Sequence, residues 1–145
     1  MKKFFMILAV VFGIITASAG NNKSHDVSVL PEQAQQVLKQ NFKSEISHIK
    51  IGKEFGQIRE YDVVMTDGSE IYFDKHGNWK EVEVSPKMSV PSAIIPNPII
   101  TFVKDNQKEA KVTGIEKKNY GYEVELSNGM DVRFTEKGKF IRYDD

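Results

Sequence analysis

The chain has 145 residues, of which 40% are hydrophobic and 28% are charged, with 20 basic and 20 acidic side chains. This composition fits one globular domain or two very small ones, and it excludes a disordered or collagen-like chain. The charge balance argues against nucleic-acid binding, and the lack of cysteine excludes disulfides, thiolate zinc sites and cysteine nucleophiles.

Residues 1–19 have the pattern of an export signal. Two lysines at positions 2 and 3 precede an uncharged, mostly apolar run over residues 4–16, and Ala-Ser-Ala at 17–19 fits a signal-peptidase site. The run is shorter than the roughly 20 apolar residues that span a bilayer. We therefore expect cleavage near Ala19, a periplasmic or secreted chain, a flexible N-terminus over residues 20–28, and no membrane insertion after the signal is removed.

The rest of the chain contains an internal sequence repeat. Residues 61–79 align with residues 122–140 at a constant offset of 61, and further upstream the offset becomes 65. Four of the five prolines fall between positions 86 and 98, which predicts an extended linker. We predict a first repeat over residues 29–84, a linker over 85–93 and a second repeat over 94–145. The identical pairs are Tyr61/Tyr122, Val63/Val124, Gly68/Gly129, Phe73/Phe134 and Gly77/Gly138.

Each repeat is predicted to open with an amphipathic helix. Apolar residues at helical spacing form one stripe in each copy, starting at Leu30 and at Ile95. In the second helix Asn97 is the expected N-cap, followed by a proline. Asn41 and Asn106 are expected near the helix ends, where a left-handed residue often stops the run.

Four strands are predicted after each helix, at residues 46–53, 59–66, 69–75, 78–84, 110–117, 122–127, 130–136 and 139–143. A three-residue loop ending in a left-handed Gly68 would pair Val63 with Ile71 and put their apolar side chains on one face. The same loop is expected at residues 127–129. Trp79 and Phe140 should share that face, where the helices pack. The two sheets are expected to pack together or to join edge to edge.

These features resemble the beta-lactamase-inhibitor-like, PepSY-like family of exported Bacteroidetes proteins. The resemblance is carried by Leu30-Pro31 and Ile95-Pro96, by residues 121–129, and by residues 71–79 with their counterpart 132–140. It implies an α+β fold of two tandem PepSY-like repeats, each a helix on a four-stranded antiparallel meander, as in the beta-lactamase inhibitor protein (BLIP-like). It also implies a protein partner, because related domains restrain secreted proteases and the inhibitor binds an enzyme across its sheet. No residue of the chain matches the inhibitor's enzyme-binding loops.

The sequence contains few candidates for catalytic or metal-binding residues. His25, His48 and His76 lack the spacing of a metal site, and residues 74–78 lack the acidic succession and closing glutamate of a calcium loop. Glu123 and Glu125 alternate along a strand, as expected of a solvated face. We predict no catalytic residue, no metal and no cofactor.

The face opposite the helices differs between the copies. The predicted register places Val64, Tyr72 and Val82 there in the first copy. In the second copy it places mainly charged residues there, with Ile141 and Tyr143. Val64, Tyr72 and Val82 are the candidate binding patch, although strand propensity alone also accounts for them.

We therefore expect an exported, non-enzymatic protein that binds a protein or peptide, such as a hydrolase, through a sheet face or edge strand. This partner would be restrained or inhibited by the binding. The alternative is a carrier or sensor that holds a small apolar molecule between the repeats.

Overall fold

The computed structural model describes residues 23–144, and this part of the chain is an α+β fold with two α-helices, a short 3₁₀ turn (Val27–Val29) and nine strands. The helices are α1 (Glu32–Asn41) and α2 (Asn97–Asn106). The strands are β1 (Lys23–Ser24), β2 (Ile46–Glu54), β3 (Gln57–Met65), β4 (Glu70–Asp74), β5 (Trp79–Glu83), β6 (Val112–Lys118), β7 (Gly121–Leu126), β8 (Asp131–Thr135) and β9 (Phe140–Asp144). No helix in residues 23–144 has the length and apolar character needed to cross a membrane. The predicted export signal and its cleavage site lie outside the described residues.

The strands form one antiparallel sheet in which spatial order follows chain order from β1 to β9. The two halves join edge to edge through β5 and β6, where Val82 pairs with Ile115. Both helices pack on the same face, which we call the inner face. A single apolar core links Ala34 of α1 and Ile99 of α2 to the central strands. The opposite face, which we call the outer face, carries neither α1 nor α2.

The hairpin register follows the alternation of apolar residues. Val63 pairs with Ile71 and Tyr61 pairs with Phe73, as the three-residue loop predicts. Gly68 has φ of 89°, and its amide donates to Met65 O at 3.1 Å. Gly129 has φ of 85° in the equivalent loop of the second half. The predicted registers of β3–β4 and β7–β8 are confirmed.

The helix ends differ from the prediction. Asn97 is already helical, and Pro96 is the N-cap without a side-chain hydrogen bond. Asn41 and Asn106 are the last helical residues, and the residues that follow them have negative φ. Each asparagine amide instead donates to the carbonyl four residues earlier, at 2.9 Å. The polar side chain therefore caps the helix without a left-handed residue.

The N-terminal segment also differs from the prediction. In its described part, the region expected to be flexible forms β1, which pairs with β2, and the start of the 3₁₀ turn. Asp26 caps this turn by accepting from the Ser28 amide at 2.9 Å. His25 Nδ1 lies 2.8 Å from Ser47 O and ties the segment to β2.

A bulge in β5 overturns one predicted position. Tyr72 pairs with Glu81 and Phe73 pairs with Trp79, so Lys80 is the extra residue and the alternation shifts by one. Val82 therefore pairs with Ile71 on the inner face, where it is 0% exposed. The placement of Val82 on the outer face is wrong, whereas Trp79 shares the face of Phe73 as predicted.

The same irregularity occurs in β9. Phe134 pairs with Phe140 and Arg133 pairs with Arg142, so Ile141 is the extra residue. Phe140 stacks on Phe102 of α2 with ring centroids 4.7 Å apart, which confirms its inner position. Tyr143, predicted on the outer face, pairs with Val132 and lies on the inner face instead.

Candidate functional site

The outer face places two of the three predicted patch residues together, although not in an apolar patch. Val64 pairs with Glu70, and Tyr72 lies between Asp62 on β3 and Glu81 on β5. Both Val64 and Tyr72 are half-buried. The Tyr72 hydroxyl donates to Glu70 Oε1 at 3.0 Å. The predicted patch is therefore the apolar part of a surface whose other members are mainly charged.

Carboxylates from seven strands occupy this surface. Cross-strand pairing places nine acidic and three basic side chains of the outer face in two neighbouring rows that run across β2 to β9, and Lys118 lies in the next row. We call this set the acidic face: Asp62, Glu70, Glu81, Glu83, Glu116, Glu123, Glu125, Asp131 and Asp144, with Lys50, Lys118, Arg133 and Arg142.

The first group of the acidic face surrounds Lys50. Its Nζ lies 3.0 Å from Asp62 Oδ2 and 3.7 Å from Glu70 Oε1. Asp62 is only 2% exposed, and its Oδ1 has no hydrogen-bond partner. Burial and the neighbouring Glu70 raise the pKa of Asp62 to about 7, against the opposing effect of Lys50. Burial and the same two carboxyls also raise the pKa of Tyr72.

The second group lies at the junction of the two halves. Glu81 pairs with Glu116, and Glu116 pairs with Glu123, so three carboxylates stand side by side on adjacent strands. Lys118 Nζ lies 3.0 Å from Glu116 Oε1 and 4.0 Å from Glu123 Oε2. Three acidic groups therefore share one cation.

Glu81 is the most constrained member of this group. It is 4% exposed, and its Oε2 has no hydrogen-bond partner. Burial, and after it the charges of Glu116 and Glu83, raise the pKa of Glu81 to about 8. Burial also raises the pKa of Glu116, although Lys118 opposes the shift. A buried carboxyl in this setting holds its proton near neutral pH unless a cation approaches.

The third group lies at the β7–β9 end. Asp131 pairs with Glu125 and Asp144 and is 2% exposed. Burial and the charge of Glu125 raise the pKa of Asp131 to about 6. Asp144 is ion-paired with Arg133 through Nε, and the guanidinium lies 5.3 Å from the centre of the Tyr120 ring.

The burial of these acids is not predicted by the sequence pattern. The alternation along β7 predicts an ordinary solvated face for Glu123 and Glu125, whereas the structure joins them to Asp62, Glu81 and Asp131 across one continuous sheet. One sequence pattern does indicate the acidic face: acidic residues recur at alternate positions of neighbouring strands in both halves. The pairing of Glu81 with Glu116 is not indicated by any such pattern, because it crosses from one half to the other.

Two small cavities lie beside the acidic face, at the loops after β3 and β5. Their volumes are about 250 and about 200 Å³. Ligand pockets usually hold about 300–1,000 Å³. The first is lined by Asp67, Gly68, Glu70, Glu83, Val84, Ser85 and Pro86, and the second by Asn41, Phe42, Lys43, Ser44, Asp67, Val84, Met88, Ser89 and Pro91.

Metal-ligand geometry is not found in residues 23–144, where no three His, Asp or Glu side chains are arranged to hold an ion. The segment compared with a calcium loop is a turn in which Asp74 Oδ1 accepts from the amides of His76 and Asn78, at 2.9 and 3.0 Å. The carboxylate therefore stabilises the turn.

Comparison with known proteins gives a family match and several similar structures. Residues 59–142 match the family described as "Putative beta-lactamase-inhibitor-like, PepSY-like". No curated protein matches the sequence significantly. The structure is similar to that of a "putative calcium-regulated periplasmic protein" from Bacteroides thetaiotaomicron, with 40% identity, a TM-score of 0.76, and coverage of 83% of this chain and 94% of the other.

Two periplasmic proteins from Bacteroides vulgatus are also similar. One, "of unknown function", shows 35% identity and a TM-score of 0.78 over 85% of this chain and 98% of its own. The other shows 32% identity and a TM-score of 0.76 over 87% of this chain and 99% of its own.

Proposed function

The chain belongs to the PepSY-like, beta-lactamase-inhibitor-like family, and on this premise we propose that it is an exported, non-enzymatic binding protein. It binds a protein or peptide partner through the outer face of its sheet, and it restrains a secreted or periplasmic enzyme such as a hydrolase. Export of this chain to the periplasm or out of the cell is supported by its periplasmic relatives from Bacteroides and by the signal-like residues 1–19.

One observation carries the proposal: the acidic face has buried carboxylates whose hydrogen-bonding capacity is not satisfied within residues 23–144. Asp62, Glu81 and Asp131 each have an oxygen without a hydrogen-bond partner. An unsatisfied buried polar group costs about 1–3 kcal/mol, and more when it is charged. A surface that carries this cost, with no helix over it, is suited to a partner that supplies the missing contacts.

The arrangement of the acids favours recognition over catalysis. They are spread in two rows over an open sheet face and are not gathered in an enclosed site that would exclude water. The two cavities beside the face are smaller than typical ligand pockets.

The two halves are further proposed to be tandem repeats, over residues 29–84 and 94–145. In the first half, a Cβ on Gly77 would meet Pro31 and the Ala34 amide. In the second half, a Cβ on Gly138 would meet Pro98 and Ile99. Ala34 and Ile99 are equivalent at the upstream offset of 65, so each half fits the turn after its third strand against the start of its helix in a similar way.

Replacing Tyr72 tests the proposed function. Tyr72→Ala removes a large, partly exposed side chain from the outer face. When the chain is immobilised and exposed to an envelope extract of the native host, the amount of partner that it captures should fall at least about fivefold. The matched control is Tyr143→Ala, which removes a tyrosine from the inner side of the edge strand β9. Capture should persist in this control, and circular dichroism should show both variants folded.

The proposal fails if the wild-type chain captures no specific protein, or if Tyr72→Ala and Tyr143→Ala reduce capture equally. An enzyme that is captured but retains full activity would remove the inhibitory part of the proposal and leave the binding part.

A further inference from the structure

We propose that the partner presents an extended cationic segment, rich in arginine or lysine, which lies across the acidic face over Glu81. This inference rests on the proposed function and names the chemistry of the partner.

The charge distribution of the chain supports a cationic partner. Without residues 1–19 the chain has 18 basic and 20 acidic side chains, so its formal charge is −2. The acidic face alone has nine acidic and four basic side chains, which is −5 when every carboxyl is ionised. The remainder is therefore formally positive, and the negative charge is concentrated on the face without helices. Such concentration attracts a partner of opposite charge and suppresses binding to acidic ones.

Glu81 gives an independent indication that a cation is missing. Its side chain is almost fully buried on the acidic face, and Oε2 has no hydrogen-bond partner in the described part of the chain. The nearby cation Lys118 is already ion-paired with Glu116 and Glu123. Buried carboxylates are normally paired or hydrogen-bonded. A guanidinium or ammonium group from a partner would supply the missing donor.

The spacing of the acids suits an extended peptide. Neighbouring strands lie about 4.8 Å apart, so Glu81, Glu116 and Glu123 together span about 10 Å across the sheet. Side chains on one side of an extended peptide repeat about every 6.6–7 Å. Two alternate cationic residues therefore reach this row together, and a third extends beyond Glu81 toward Asp62, whose Oδ1 has no partner within residues 23–144.

The cationic segment should bind more tightly as the pH rises. Burial keeps the pKa of Glu81 near 8 and that of Asp62 near 7, so both carboxyls lose their protons between about pH 6 and pH 9. Ionised carboxylates attract a guanidinium, and its binding would in turn promote ionisation. The charged and titratable groups that face Glu81 are Tyr72 and Glu70 on β4, Glu83 on β5, and Glu116 and Lys118 on β6.

A synthetic peptide tests this inference directly. The probe is a labelled peptide of alternating arginine and threonine, and its twin has glutamate in place of arginine. Fluorescence anisotropy should show binding of the arginine peptide alone. Its affinity should rise at least about threefold from about pH 6 to about pH 9, and should fall steeply when salt rises from about 20 to about 200 mM.

Charge-neutralising variants locate the site. Glu81→Gln/Glu123→Gln should weaken binding by about five- to tenfold, because two charge pairs with the peptide are lost. The matched control is Glu109→Gln/Glu136→Gln, which removes the same charge from exposed positions off the face and should change the affinity less than about twofold. Equal effects of the two double variants, or equal binding of both peptides, would overturn the inference.

The two proposals fail separately. A partner that depends on Tyr72 but is not displaced by salt or by the arginine peptide would contradict the cationic segment and leave the proposed function intact. Binding of the peptide without any captured partner would contradict the proposed function.

Discussion

The free energy of unfolding is expected to fall as the pH rises from about 5 to about 8. An acid whose folded pKa is raised holds a proton that the unfolded chain has already lost, so the folded state is favoured at low pH. Glu81, with a folded pKa of about 8 against an ordinary 4.5, contributes most to this loss of stability. Asp62, with a pKa of about 7, and Asp131, with a pKa of about 6, contribute less. At about 1.4 kcal/mol per pH unit, Glu81 alone accounts for a loss on the order of 3 kcal/mol.

Glu81→Gln should remove most of this loss. The amide keeps the size of the side chain but carries no charge, so the variant should be more stable than the wild type at pH 8 by on the order of 3 kcal/mol, and nearly equal at pH 5. Urea unfolding at the two pH values measures the difference. Glu109→Gln, at an exposed position, is the control and should leave the slope unchanged. Wild-type stability that is constant or rises between pH 5 and 8 would contradict the burial of these carboxyls.

The second large effect is expected at Gly121, the first residue of β7. Its φ is 142°, and a Cβ at this position would collide with the backbone of Phe134 and Thr135 on the neighbouring strand. Gly121→Ala should therefore combine backbone strain with loss of close strand packing, and destabilise the chain by about 4 kcal/mol or prevent folding.

Gly129→Ala is the matched control for this prediction. Gly129 also has positive φ, at 85°, but within residues 23–144 no atom beyond its two chain neighbours lies within 4 Å of the position its Cβ would occupy. Only the conformational cost of about 1–2 kcal/mol is expected there. Thermal unfolding of the two variants separates the contributions, and a similar melting temperature for both would show that the β7–β8 contact is not as tight as described.

The parts of the fold that depend on local patterns could be predicted from the sequence. Val63 and Ile71 are placed on one face by their period of two and by the left-handed Gly68, because a shift of one residue would expose the whole apolar set. The helices follow from stripes whose members include Leu38 and Val103, both buried.

The remaining features depend on the whole sheet and have no local signal. The bulge at Lys80 moves Val82 to the inner face, yet no glycine or proline marks it in the sequence. The burial of Glu81 arises from its position near the middle of the sheet, beside Glu116 of the other half. A strand read alone shows an acidic residue at an alternate position, which is equally typical of a solvated surface.

Site-specific photo-crosslinking in cells of the native host tests most directly whether the outer face binds a protein. A benzophenone amino acid would replace Tyr72 on the outer face, and in matched chains Gln36 of α1 or Lys104 of α2, which are exposed on the helices. Binding through the outer face should give a discrete crosslinked protein from position 72 and none from positions 36 and 104. Crosslinks from the helical positions alone, or none from any position in a folded and exported chain, would contradict it.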